Sequence, residues 1–395
     1  MKKRVLFSIY QTENHSNGGV NSMSQIMEQD VSVVPYIITN IHGPFNVRWE
    51  ARRWIIKVTS IKWGGTSSSP FKIIKLFDLL KSNLAAYRML KRNKIDTLYC
   101  NDIQGFWCSY YGGLLAGVKV IFNLRDTKSA DELYSLKKWK YIASKADVIV
   151  VLSKEMKEFV VNKLLVGSNS DKVVVTYSIV NQEVFHPVNT VESKKLREYY
   201  EIAEEEFVVS YVAAFNAKKA QLLFIKNVVS KFRDTNNITF NFIGDFDINS
   251  NSYAADCLNE VRSLGLESLV KFVGHVVDVD KWYKMSNLVA IASNKEGLAR
   301  CMIEAISCGT PVISFDVCSA NEILAEYKTG EVVPMSRYDI YTQKLKNLIS
   351  DRNLLKEYSN NGFKVASELF NKDTVLKRYK GAYHVNENNI NSTHD

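Results

Sequence analysis

Apolar residues in this chain gather in short unbroken runs separated by longer stretches of helical periodicity, and the two alternate from end to end. Runs of strand length fall at 5–10, 31–39, 97–100, 118–124, 148–152 and 173–176 in the first half. Further runs fall at 207–213, 239–244, 270–273, 288–292 and 312–315 in the second. They are continuous rather than alternating, as strands covered on both faces require. Helical patterns occupy 71–91, 105–116, 131–144 and 154–163, and more lie between the later strands. This order predicts an α/β protein built from doubly wound parallel sheets.

At 395 residues the chain is long enough for two ordinary domains. The segment Asn181-Gln-Glu-Val-Phe-His-Pro187 ends regular patterning and a polar stretch follows, which sets a boundary there. The expected division is a first domain at 1–185, a second at 186–365, and a helix with a polar tail at 366–395. A weak internal echo supports two similar halves: Ala146–Ser153 and Ser286–Ser293 each carry an apolar strand into a serine and a helix. The start, Met1 to Tyr10, is basic and then apolar. Its apolar part is short and lacks a small-residue cleavage pattern, so it reads as a first buried strand rather than a signal peptide.

Composition narrows the class. With 46% hydrophobic and 24% charged residues the chain is of globular type, and no run approaches the ~18 apolar residues of a spanning helix. Six cysteines without a Cys-x-x-Cys pair read as core residues of a reduced, cytoplasmic protein. Charge is uneven: residues 1–185 hold 26 Lys and Arg against 15 Asp and Glu, and residues 186–395 hold 25 against 27. Only the first half is therefore expected to face an anionic partner. Within it, Arg48 to Lys57 and Ile61-Lys-Trp63 set three tryptophans among five cations, which suits a lipid headgroup layer as well as it suits a strand pair with solvated charges. No helix-turn-helix, zinc pattern or RNA-binding aromatic motif supports nucleic acid as a partner.

Candidate chemistry concentrates in Ser293-Asn-Lys-Glu296-Gly-Leu-Ala-Arg300-Cys-Met-Ile-Glu304, followed by Gly309-Thr-Pro-Val312. A strand ending near 292 runs into a tight loop at Lys295-Glu296-Gly297, and a helix begins near Ala299. A helix start leaves unpaired amides and a partial positive charge that suit a phosphate. Glu296 falls in the loop before it, and Glu304 about one turn below Arg300 on the same face. Such a site can hold a diphosphate between two acceptors of hydroxyl hydrogen bonds. The plain alternative is a buried strand–loop–helix unit with two incidental glutamates.

These residues resemble the retaining family 4 glycosyltransferases, of GT-B architecture: two facing Rossmann-like domains with a cleft between them. The Glu296–Glu304 stretch matches that family's Glu-x7-Glu motif, with Gly309, Pro311 and Val312 in register. Asn17-Gly18-Gly19-Val20 looks like its Gly-Gly loop, and Val212 to Ala220, with Lys219, like its Val-Gly-Arg-Leu-x-x-x-Lys-Gly segment. Phe242-Ile-Gly244-Asp245 and Phe272-Val-Gly274 also fit. The departures are Ala214 in place of the donor-phosphate arginine, Arg125 near the place of the first-domain histidine, Ser178-Ile179 for the linker Asn-Gly, and Cys318-Ser319 for a Gly-Gly before Glu322.

The resemblance implies sugar transfer from a nucleotide-diphosphate donor to a hydroxyl with retention, the sugar being a hexosyl or N-acetylhexosaminyl group. Lys219, Gly18, Gly19, Gly297, Leu298, Ala299 and Arg300 would receive the diphosphate, Glu296 the donor-sugar hydroxyls, Glu304 the ribose, and Glu322 would support them. His15 and Arg125 are candidates for the acceptor side. Arg300 is a candidate replacement for the arginine lost at Ala214. No cofactor and no metal are expected, although Asp245-Phe-Asp247 and Asp278-Val-Asp280 both spell Asp-x-Asp. A glycan or lipid-linked acceptor at the cytoplasmic membrane face is the expected partner. An epimerase or phosphorylase of the same architecture, or a degenerate nucleotide-sugar-binding protein, remains as the alternative. A dehydrogenase is disfavoured because no Gly-x-Gly-x-x-Gly follows the first strand.

Overall fold

The structure is a computed structural model, and it describes residues 2–11, 18–61, 70–125, 133–167 and 170–384. The chain forms two compact units, one of residues 1–179 with 372–395, the other of residues 180–371. In chain order the first unit runs β1 (Lys3–Ile9), α1 (Gly18–Gln29), β2 (Val33–Thr39), α2 (Pro44–Glu50), β3 (Ile55–Val58), α3 (Pro70–Arg92), β4 (Thr97–Cys100), α4 (Ile103–Ala116), β5 (Lys119–Leu124), α5 (Leu133–Lys145), β6 (Val148–Val151), α6 (Lys154–Phe159) and β7 (Val173–Val175). The second runs α7 (Thr190–Tyr199), β8 (Phe207–Val212), α8 (Gln221–Asn227), β9 (Ile238–Ile243), α9 (Ser252–Ser263), β10 (Val270–Gly274), α10 (Val279–Met285), β11 (Leu288–Ile291), α11 (Arg300–Ser307), β12 (Val312–Phe315), β13 (Gly330–Val333), α12 (Tyr338–Ser350) and α13 (Arg352–Leu369). A last helix, α14 (Lys372–His384), returns to the first unit.

Both sheets are parallel throughout. Their orders are β3-β2-β1-β4-β5-β6-β7 and β10-β9-β8-β11-β12-β13. In each, sequence order runs outward in both directions from a central pair, β1/β4 in one and β8/β11 in the other. Parallel strands in this order, joined through helices, make the doubly wound, Rossmann-like arrangement. The expected continuous burial is seen: β4, β6, β9, β11 and β12 are buried at every position. The core of the second unit is aromatic, with Tyr211 stacked on Phe242 at 5.4 Å and Phe224 edge-on to Tyr341 at 5.5 Å.

Two strands escape the sequence reading, β3 and β13. β3 is exposed or half-buried at each position, and Lys57 stands inside it. β13 is a four-residue edge strand opening on Gly330, where an added Cβ would lie 1.9 Å from the Val312 carbonyl oxygen. Both lack the apolar density by which buried strands announce themselves. Gly18 and Gly19, read as a loop, are the first two residues of α1. The tryptophan-bearing segment also resolves differently. Trp49 is fully buried, and its Nε1–H donates to Ser24 Oγ at 3.0 Å, so it belongs to the core. Arg48 and Arg52 both pair with Glu28, and Trp63 lies outside the described residues.

α14 is bound to the first sheet by charge and by packing. Lys3 and Lys119 donate their ammonium groups to the Tyr383 carbonyl, at 3.1 and 2.8 Å. Cations at these unsatisfied carbonyls also complement the negative end of the helix dipole. The Arg378 guanidinium lies 4.9 Å above the Tyr177 ring.

Candidate active site

The second sheet reverses its strand order between β8 and β11. In such sheets the crevice for a ligand opens beyond the carboxyl ends of the two strands at the reversal. The loops leaving those ends carry Lys219 and Glu296, and hydrogen bonds clamp them together. The Asn294 amide donates to the Lys218 carbonyl at 2.9 Å, and its side-chain nitrogen donates to the Ala217 carbonyl at 3.2 Å. The Tyr211 hydroxyl, at the end of β8, accepts from the Ala292 amide at 3.1 Å and donates to the Lys219 carbonyl. A buried tyrosine thus spans both loops with one oxygen.

Lys219 then closes the arrangement. Its Nζ lies 2.5 Å from Glu296 Oε1, with side-chain exposures of 23% and 9%. Burial pulls the lysine pKa down, but the adjacent Glu296 carboxylate outweighs it and the net shift is upward, so the ammonium stays charged. Glu296 is followed by Gly297, whose carbonyl accepts from Ser319 Oγ at 2.8 Å; this brings in the loop after β12. Leu298 and Ala299 are buried, and Ala299 caps α11 with extended backbone and no side-chain hydrogen bond. An anion can therefore take the place of a side-chain cap at that helix start. Glu322 is buried in the π-helical turn Asn321–Glu326 beyond Ser319.

One turn into α11, Arg300 and Glu304 form an i,i+4 pair, with Nε and Nη2 at 3.0 and 2.9 Å from Oε1. The Tyr283 hydroxyl donates to Glu304 Oε2 at 3.4 Å. Burial raises the Glu304 pKa, and Arg300 opposes the rise without cancelling it. Arg300 is thus paired with Glu304. Cys301, between them, is pushed by burial to about 12 and stays a thiol, which removes it as a nucleophile.

Three of the four aspartates of the Asp-x-Asp pairs are otherwise engaged. Asp278 pairs with Lys281 at 2.7 Å and Asp280 with Lys284 at 2.8 Å, while Asp247 accepts from Ser250 Oγ and the Asn249 amide. Among the described residues no group of three or more His, Cys, Asp or Glu could hold a metal ion.

In the first unit, Arg125 follows β5, and Asp102 follows β4 as the N-cap of α4. Asp102 accepts from the Gly105 amide at 2.6 Å and the Tyr10 amide at 3.2 Å. Burial raises its pKa to about 6 against these bonds and the Arg125 charge. Gly18 and Gly19 open α1 in the same unit. His15 lies outside the described residues. Sequence reasoning missed Tyr211, Tyr283, Asn294 and Ser319, since a hydroxyl or amide that holds loops carries no motif of its own.

Residues 192–365 match the family model for glycosyl transferases group 1. The chain is 23% identical over 368 residues to the putative glycosyltransferase EpsD of Bacillus subtilis, covering 87% of this chain and 93% of that protein. It is 23% identical over 238 residues to the capsular polysaccharide biosynthesis glycosyltransferase CapM of Staphylococcus aureus, 60% of each chain. The crystal structure of Anabaena HepE in complex with UDP and glucose superposes with a TM-score of 0.77 at 18% identity, covering 97% of this chain and 99% of that one. Two Rossmann-like parallel-sheet units of this kind constitute the GT-B architecture.

Proposed function

We propose that this chain, whose residues 192–365 match the family model for glycosyl transferases group 1, moves a hexosyl or N-acetylhexosaminyl group from a nucleoside-diphosphate sugar to a glycan or lipid-linked hydroxyl, with retention. The observation that carries the reading is the Lys219–Glu296 pair at the strand-order reversal, beside the uncapped start of α11. Lys219 and the amides of α11 receive the diphosphate. Glu296 accepts from donor-sugar hydroxyls, and Glu304 from the ribose.

Chemically, the bond from the anomeric carbon to the β-phosphate oxygen breaks as the bond to the acceptor oxygen forms on the same face. Negative charge grows on the departing diphosphate, and fixed cations and amides already aimed there stabilise it without reorganising. The acceptor's proton passes to the leaving phosphate oxygen, so no histidine base is required. Neither a metal nor another cofactor enters this scheme, because Lys219 and the helix start supply the positive charge. CapM, named for capsular polysaccharide biosynthesis, and HepE with its UDP favour a UDP-sugar and a cell-surface glycan. We place the enzyme in the cytoplasm, peripheral to the inner membrane face; no described helix is long and apolar enough to cross a bilayer.

Incubation with labelled nucleotide sugars and a glycan-lipid acceptor tests the reading. Acceptor-dependent release of nucleoside diphosphate is expected, with product of retained anomeric configuration. Binding without release would instead mean a degenerate binding protein, and an isomerised donor would mean an epimerase.

A further inference from the structure

One surface of the first unit is explained neither by the core nor by donor chemistry. α4 carries no charged residue along its fourteen positions, and it turns Tyr111, Leu114 (58% exposed) and Leu115 (74% exposed) to solvent. α3 packs against it. Asn83 donates to the Trp107 carbonyl at 2.9 Å and accepts from the Gly112 amide at 3.0 Å. From α3, Phe77 (60% exposed), Leu80 and Leu84 also face solvent, at spacings that share one side of a helix. On the other flank Tyr141 of α5 stacks on Trp107 at 5.7 Å, and its hydroxyl lies 3.4 Å from that of Tyr111. Isolated exposed leucines are ordinary, but an apolar band across three neighbouring helices is not.

The charges on these helices are mostly of one sign. α3 exposes Lys81, Arg88, Lys91 and Arg92. α5 exposes Lys137, Lys138, Lys140 and Lys145. Against these eight cations the three helices hold one carboxylate, Asp78. We propose that this face docks on an anionic lipid bilayer. The leucines, Phe77 and the tyrosines enter the headgroup boundary while the lysines and arginines meet lipid phosphates.

Charge complementarity selects this occupant. A second copy would set eight cations against eight with two carboxylates between them. A nucleic acid would satisfy the cations and leave the leucines in water. The contact lies on the surface of the bilayer, since α4 is only fourteen residues long. The inference rests on the peripheral placement proposed above and gives it an address: in the Arg48–Trp54 segment Arg48 and Arg52 pair with Glu28 and Trp49 belongs to the core.

Co-sedimentation of the full chain with phosphatidylglycerol-containing vesicles, against pure phosphatidylcholine, tests it. Binding at least tenfold stronger to the anionic vesicles is expected. Leu114→Ser with Leu115→Ser should lower it tenfold or more at any salt concentration. Lys137→Glu with Lys138→Glu and Lys140→Glu should lower it tenfold at low salt and flatten its salt dependence. Equal binding to both vesicles, or wild-type binding by both variants, overturns the proposal. So does a wild-type dimer in sedimentation velocity that Leu114→Ser dissociates, because the face would then be an interface between copies. UDP binding is measured alongside and should be unchanged in every variant. Its absence from the wild-type protein would count against the donor site and leave the docking face standing.

Discussion

The Lys219 ammonium lies 2.5 Å from the Glu296 carboxylate, joining the loop after β8 to the loop after β11 where the second sheet reverses its order. The two residues are 77 positions apart, and neither is placed by local structure alone. What holds them is the Tyr211 hydroxyl bridging both loops and the Asn294 amide closing on Lys218. Without a ligand each charge partners the other. In the proposed reaction an incoming diphosphate would compete for Lys219, and sugar hydroxyls for Glu296.

Removing either charge should therefore strip transition-state stabilisation. Lys219→Met and Glu296→Gln should each lower kcat about a hundredfold or more, the scale of losing one preorganised electrostatic partner. The double variant should lose less than the product of the two, because both act on one unit. Folding at neutral pH reports separately. Lys219 has a raised pKa, so the pair's contribution is complete below the unfolded lysine value of about 10.4 and disappears only as pH rises through the folded value. Thermal scans between pH 7 and 9 should find a pH-independent difference in midpoint between the wild type and Lys219→Met. Near-normal turnover in both folded single variants would remove the pair from the mechanism.

Arg300 and Glu304 make a different prediction, about binding and pH. Burial favours the protonated Glu304 and Arg300 favours the ionised form that can accept from a ribose. Arg300→Met leaves burial opposed by the Tyr283 hydrogen bond alone. UDP affinity, followed by titration calorimetry from pH 8 down to 5, should begin to fall at a higher pH in the variant than in the wild type. Superposable profiles would mean that Glu304 does not bind the ribose as a carboxylate.

How much of this could be read from the chain follows from where the information sits. Buried strands such as β4 and β12 appear at their full extent, because covering both sheet faces demands unbroken apolar runs. The edge strands β3 and β13 do not, because a half-exposed edge tolerates Lys57 and Glu331. Glu296 and Glu304 were visible as a spaced motif on one loop and helix. Their partners divide: Arg300 follows from helical periodicity, while Tyr211 and Tyr283 arrive from another strand and helix and Ser319 from the loop after β12, with no spacing relation to the motif. The cationic rim of α5 is plain in composition, but the band of leucines beside it exists only once α3, α4 and α5 are packed.

Asp102 offers a test of the first unit. Its pKa of about 6 stands above the unfolded value of about 3.9, so between these values the folded state binds more protons than the unfolded one. Stability should therefore fall as pH rises from about 4 to 6, for this group alone. Asp102→Asn keeps an acceptor for the Gly105 amide and removes the titration. The difference in unfolding free energy between variant and wild type, measured by urea titration, should shift in the variant's favour across that window and stay level above it. A constant difference from pH 4 to 7 would mean that Asp102 titrates alike in both states.

The seam beneath the apolar band can be tested by a single methyl group. At Gly112 an added Cβ would sit 2.2 Å from the Asn83 carbonyl oxygen and 3.0 Å from the Tyr87 nitrogen. Both are backbone atoms of α3, so neither can turn aside as a side chain would. Alanine is the better helix former by roughly 1 kcal/mol, yet overpacking of this kind costs about 1–3 kcal/mol and should outweigh it. Gly112→Ala should lower Tm by several degrees. Gly18→Ala is the matched control, because its Cβ meets nothing within 4 Å at the start of α1; its Tm should be unchanged or slightly raised. If Gly112→Ala melts with the wild type, the close approach of α3 and α4 is wrong.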